Sequence, residues 1–117
     1  MGIILGFTDL KVWQKSHNFV LNIYRVTRDF PMEERFGLIS QMRRAAVSVP
    51  ANIAEGFRKK GKKDKANFFN IAQGSLDEAK YYIILSRDLG YLKEADPLLD
   101  DADEIQKMIF GFVKSLY

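Results

Sequence analysis

The sequence predicts an all-α fold, one antiparallel up-down-up-down bundle of four helices spanning residues 1–117 as a single domain. Three observations predict it. Apolar residues recur at alternating three- and four-residue intervals along four segments, which is the seam of a helix and not of a strand. The breaks between segments are short, about seven residues or fewer, and short connections force sequential helices to run as antiparallel neighbours. Of the 117 residues 47% are apolar, enough for one real core.

The first helix is expected to begin near Thr8-Asp9, either of which can cap free N–H groups. Its seam is Val12, Ser16, Phe19, Ile23, Val26 and Phe30, and Pro31 stops it by disfavouring helical geometry in the residue before it. The second helix is expected from about Glu33 to Arg58, with Glu33 and Glu34 in its first turn, where the helix dipole favours negative charge. Its seam, Leu38, Met42, Ala45, Val49, Ile53 and Phe57, continues on both sides of Pro50, so the proline should kink the helix and not end it. Lys59–Lys63 reads as a Gly-centred basic loop, with Asp64 as the cap of a third helix running to about Leu89. That helix buries Phe68, Ala72, Leu76, Ala79 and Ile83, and Gly90 suits its left-handed C-terminal position. The fourth helix opens on Asp96-Pro97 as cap and first helical residue and has the most regular seam, Leu98, Ala102, Ile105, Ile109, Phe112 and Leu116.

The second helix departs from an ordinary surface helix. Beside its core stripe lies a polar ladder, Gln41, Arg44, Ser48, Asn52 and Glu55, on one flank. The opposite side carries Ser40, Val47, Ala51 and Ala54, where lysines and glutamates are usual. Small residues there fit a subunit interface that lets helices approach closely; alanine as a plain helix former on an exposed face is the other reading. The ladder reads as structural, with Arg44 and Glu55 tying neighbouring helices or protomers through charge-assisted bonds.

The sequence offers little for catalysis. With no Cys there is no disulfide, thiolate chemistry or Cys-based metal site, which suits a reducing cytoplasm. His17 is the only histidine, so a His-based zinc or di-iron site cannot be assembled within one chain. Asp77, Glu78, Asp100, Asp101, Asp103 and Glu104 fall outside the apolar stripes, as solvated faces do. No phosphate-cradling Gly loop and no Ser/His/Asp set is present. The expectation is no enzyme, no metal and no cofactor. The N-terminus lacks the charge and apolar length of a signal peptide, and no apolar stretch approaches a membrane span, so a soluble cytoplasmic protein is expected.

The net charge of +3 conceals a division: residues 1–65 hold 13 cations and 6 carboxylates, residues 66–117 hold 5 and 9. Six cations, Arg58, Lys59, Lys60, Lys62, Lys63 and Lys65, fall within eight residues, and Arg43 adds to the basic half. Such a cluster can neutralise phosphates without reading sequence, and a symmetric oligomer would repeat it once per subunit. A solvated loop that favours solubility, in an oligomer whose partners are only proteins, is the competing reading.

Phe7–Lys15, Phe30-Pro31, the run Phe36–Gly56 and Ile71–Leu76 together resemble the four-helix bundle family encoded in intervening sequences of bacterial 23S ribosomal RNA genes (S23-type). The resemblance covers nearly the whole chain. It implies a bundle that assembles into a ring, typically a homopentamer, with no attached enzymatic activity. The chain is also similar to the accessory protein of diversity-generating retroelements, a basic pentameric barrel that binds nucleic acid and a reverse transcriptase. The family's characteristic residues fall on Gln41, Arg44, Ser48, Asn52, Glu55 and Gly56, with Val47 and Ala51 on the adjoining small face.

Overall fold

A computed structural model describes residues 2–117 and holds four α-helices, with no strand among the described residues. They are α1 (Lys11–Thr27), α2 (Leu38–Arg58), α3 (Lys62–Asp88) and α4 (Asp96–Ser115), preceded by short 3-10 turns at Phe7–Asp9 and Met32–Glu34. The body measures 43 × 28 × 19 Å. One core draws on every helix: Phe19 and Ile23 from α1, Met42, Val49 and Ile53 from α2, Phe69, Leu76 and Ile83 from α3, Ile105 and Ile109 from α4. Each such fully buried side chain contributes about 1.5–3 kcal/mol, so the four seams hold the helices together more than helix propensity does.

Cross-helix bonds give the register. On α2 and α3, Met42 meets Ser86, Ser48 meets Ser75, and Gly56 meets Lys65. Early residues of one helix pair with late residues of the next. Between α3 and α4 the pairs are Gln73 with Gln106, Asp77 with Gln106 and Lys80 with Asp103. Lys15 of α1 reaches Glu104 of α4 at 2.8 Å, and this carboxylate, by hydrogen bond and charge, raises the lysine pKa above its ordinary value. The three buried polar side chains are all hydroxyls, and each returns its hydrogen to the carbonyl four residues back: Ser16 to Val12, Thr27 to Ile23, Ser86 to Tyr82, all at 2.7 Å. That local bond is what makes their burial tolerable.

Several boundaries differ from the sequence reading. Asp9 does not cap α1; its carboxylate accepts the Leu5 and Gly6 N–H groups at 2.9 and 3.2 Å and closes the 3-10 turn instead. Glu33 and Glu34 precede α2 in the second 3-10 turn, and Glu34 accepts the Leu38 N–H from outside the helix at 3.4 Å. The α1–α2 connection is therefore Arg28 to Gly37, longer than the seven residues expected. Asp64 lies within the first turn of α3 behind Gly61, and α4 starts after Ala95, so neither Asp64 nor Asp96 is the cap. In α3 the buried aromatic is Phe69, 2% exposed, and not its neighbour Phe68. Gly90 is as expected: at φ +83° it donates to the Arg87 carbonyl at 3.0 Å while Tyr91 reaches back to Ser86 at 2.9 Å, the paired bonds of a Schellman end. Pro50 sits buried inside an unbroken α2.

Candidate nucleic-acid interface

The fold sorts charge by position more sharply than the sequence does. The tight α2–α3 turn, the start of α1 and the end of α4 lie at one end of the molecule, as the Phe7, Arg58 and Gly6 contacts and the Phe69–Phe112 ring pair require. That end holds Lys11, Arg58, Lys59, Lys60, Lys62, Lys63, Lys65 and Lys114 against Asp9, Glu55 and Asp64, eight cations to three carboxylates. The rest of the chain then carries ten cations and twelve carboxylates of the totals of 18 and 15.

Within the six-cation run, the structure divides the side chains by task. Lys65 turns inward: its ammonium donates to the Phe57 carbonyl at 2.7 Å and the Gly56 carbonyl at 3.3 Å, over the Phe57 ring at 5.6 Å. Those carbonyls are the orphan acceptors at the end of α2, so Lys65 is its C-terminal cap. Lys59 is half-buried, 3.9 Å from Glu55 and 5.0 Å from the Phe68 ring centre. Arg58, Lys60, Lys62 and Lys63 remain exposed, with no hydrogen bond or ion pair among the described residues. Arg43 is elsewhere. It lies fifteen residues before Arg58 on α2, about 22 Å along the axis. It donates to Thr27 Oγ1 at 2.9 Å and stacks 4.4 Å above the Tyr24 ring, a tie between α1 and α2.

The polar ladder lines the outer α2–α3 groove. Its centre is closed by a 2.7 Å bond between the Ser48 and Ser75 hydroxyls, with Asn52 donating to the Ser48 carbonyl and hydroxyl at 2.8 and 3.0 Å. Gln41 and Arg44 are exposed and have no partner among the described residues, and Glu55 pairs only within α2. Gly56 closes the ladder at a crossing too tight for a side chain: a Cβ there would lie 2.8 Å from a Phe69 ring carbon. On the other flank, Ala51 and Ala54 share a depression with Leu5, Gly6 and Phe7, so the protein's own N-terminal segment crosses part of that small face. Val47 and Ser40 stay uncovered beside Tyr24 and Phe36, the latter 88% exposed.

His17 is exposed and stacked on Trp13 at 5.1 Å, with Phe7 edge-on to the indole. No group of three or more metal-ligating side chains occurs among the described residues, and no helix there is long and apolar enough to cross a membrane. Sequence reasoning missed the groove between α3 and α4. Its signal was present: Lys107, Phe110, Lys114 and Tyr117 recur at three- and four-residue spacing just off the core seam.

An all-α chain with four helices, a basic end and a hydroxyl-bridged α2–α3 seam is the class of protein these features define. The family described as 23S rRNA-intervening sequence protein matches residues 8–111, and the chain belongs to it. A crystal structure of a protein of unknown function from the S23 ribosomal protein family, from Bacteroides thetaiotaomicron at 1.70 Å, is 26% identical. It superposes with a TM-score of 0.81, covering 88% of this chain and 95% of that one. Comparison with curated proteins gives no match.

Proposed function

We propose that the chain is a non-enzymatic, cytoplasmic up-down-up-down bundle, bent in α2 at Pro50, that assembles into a homo-oligomeric ring of five. In this reading the ring holds RNA or DNA weakly and without sequence preference. The observation that carries the nucleic-acid reading is the gathering of eight cations against three carboxylates at one end, with Arg58, Lys60, Lys62 and Lys63 free of internal partners. Four phosphate contacts per chain give a salt slope of about −3 on a single strand, and a ring multiplies that modest affinity. The uncovered Val47 and Phe36 beside the small face of α2 support self-association.

Labelled RNA titrated at low and moderate salt tests the first half. Affinity should fall steeply with salt and drop when Arg58, Lys60, Lys62 and Lys63 are changed to Gln; no binding at low salt refutes it. Light scattering tests the second half: one chain is 13.5 kDa, so a five-fold ring has a mass of about 68 kDa, and Val47→Glu should lower it. A monomer in the unaltered protein refutes the ring.

The inward turn of Lys65 and Lys59 favours one alternative, a structural or protein-binding oligomer with no nucleic-acid role. Co-purification with and without nuclease separates the two, because only the alternative keeps its partner after digestion.

A further inference from the structure

We propose that the groove between α3 and α4 is a track for single-stranded nucleic acid, in which bases stack on Phe110 and Tyr117. This rests on the nucleic-acid reading above and names the form of the ligand. One face of α4 presents Lys107, Phe110, Lys114 and Tyr117 in that order, at spacings of three, four and three residues. Cation and aromatic ring alternate on one helical stripe. Both rings are open to solvent, Phe110 at 65% and Tyr117 at 79%, so neither is spent on the core.

The facing wall of α3 is built to match. Lys63, Asn67 and Asn70 line a cleft with Tyr117, and Gln73 lines a second cleft with Phe110 and Lys107. The antiparallel pairing that joins Gln73 to Gln106 makes these two clefts successive stretches of one groove. Along it, amides stand opposite rings and ammonium groups flank both. Gln73 donates to the Gln106 carbonyl at 3.2 Å while its Oε1 is buried without a partner, leaving the floor one acceptor short of a donor.

The two ends of the groove differ. Towards the α3–α4 connection it is closed by its own network: Lys80 bonds Asp103 at 2.6 Å and Gln106 at 3.2 Å, and Gln106 bonds Asp77 at 2.7 Å. Towards the basic end the lysines and amides have no such closure, and Asp64 is the one carboxylate on the lining.

Chemistry selects the occupant. An apolar helix would bury ammonium groups against hydrocarbon, whereas a polyanion pairs with them. A duplex hides its base faces and gains nothing from exposed rings, while a single strand offers π-faces between phosphates. Phe110 and Tyr117 are seven residues apart, a rise of about 10.5 Å, equal to about three base-stacking steps of 3.4 Å.

The test is an anisotropy titration of labelled oligouridylate, oligothymidylate and an RNA duplex of equal length. The proteins are the full chain, Phe110→Ala/Tyr117→Ala, Phe110→Tyr/Tyr117→Phe, and Lys60→Gln/Lys62→Gln. Removing both rings should weaken single-strand binding about tenfold or more while duplex binding holds, and the ring-preserving variant should bind as the unaltered chain does. A 5-iodouridine strand should crosslink to Phe110 or Tyr117. If removing the rings leaves single-strand binding unchanged, or weakens duplex equally, the groove assignment is wrong, and a loss confined to the lysine variant then leaves the broader reading standing. No binding of any probe by the unaltered chain overturns both. Both aromatics are exposed, so folding of the alanine variant is expected and is checked by its melting curve.

Discussion

Gly56→Ala puts the α2–α3 crossing to a quantitative test. In an open helix interior this substitution stabilises by about 0.5–1 kcal/mol, because alanine loses less backbone freedom on folding. At Gly56 the added methyl would stand 2.8 and 3.0 Å from two Phe69 ring carbons and 3.2 Å from Phe68 Cβ. The Phe69 ring is 2% exposed and is backed by Phe112 at 5.0 Å, edge to face, so it cannot yield without disturbing α4 as well. Overpacking of this kind costs about 1–3 kcal/mol, leaving a net loss of about 1–2 kcal/mol. A chain of 117 residues unfolds with an entropy of about 0.25 kcal/mol per kelvin, so the melting temperature should fall by about 4–8 °C. Circular dichroism melts at one fixed protein concentration read this directly. Gly74→Ala is the control: nothing lies within 4 Å of its added methyl, and it should gain the propensity term undiminished. Pairing Gly56→Ala with Phe69→Leu should recover part of the loss. A Gly56→Ala protein as stable as the original would refute the argument, since it would show that the ring has room to move.

Lys65→Met keeps the aliphatic stem and removes the cap on α2, so it should cost about 1 kcal/mol in urea unfolding and leave RNA affinity unaltered. Arg43→Met should destabilise by about 1–2 kcal/mol through the lost Thr27 bond and Tyr24 stacking, again without a binding change. Lys15, Tyr82 and Tyr91 are all held above their ordinary values, 10.5 for the lysine and 10.0 for the tyrosines. The chief causes are the Glu104 bond for Lys15, burial for Tyr82 and the Glu34 bond for Tyr91. A pKa raised by folding contributes stability that is whole below the unfolded value and lost as pH climbs through the folded one. Melting temperature should therefore decline above about pH 10, and Tyr91→Phe should flatten that decline.

The four helices were legible because Val12, Ile23, Met42, Ile83 and Ile109 recur at a helical period that nothing else produces. Their ends were less so. Asp9, Asp64 and Asp96 are all good caps by type, yet the backbone enters each helix where Leu10, Gly61 and Ala95 stand. Phe68 and Phe69 differ by one position, and which of them enters the core depends on where α2 crosses, through Gly56. The basic run was readable as charge, but Lys65 could be removed from it only once the end of α2 was known to lie beside it. The α3–α4 groove depends on two helices distant in sequence, so half of its pattern is invisible from either alone.

The separation of charge along the molecule alters what a distant ion meets. At physiological salt the field of an exposed charge decays over about 8 Å. The long axis is 43 Å, so the carboxylate-rich end is screened from anything touching the other. A polyanion arriving at the α2–α3 turn meets the local excess of eight cations over three carboxylates and not the molecular charge of +3. Dilute salt lengthens that reach and lets the far carboxylates weigh against capture, so the chain's net charge is a poor guide to its adhesion.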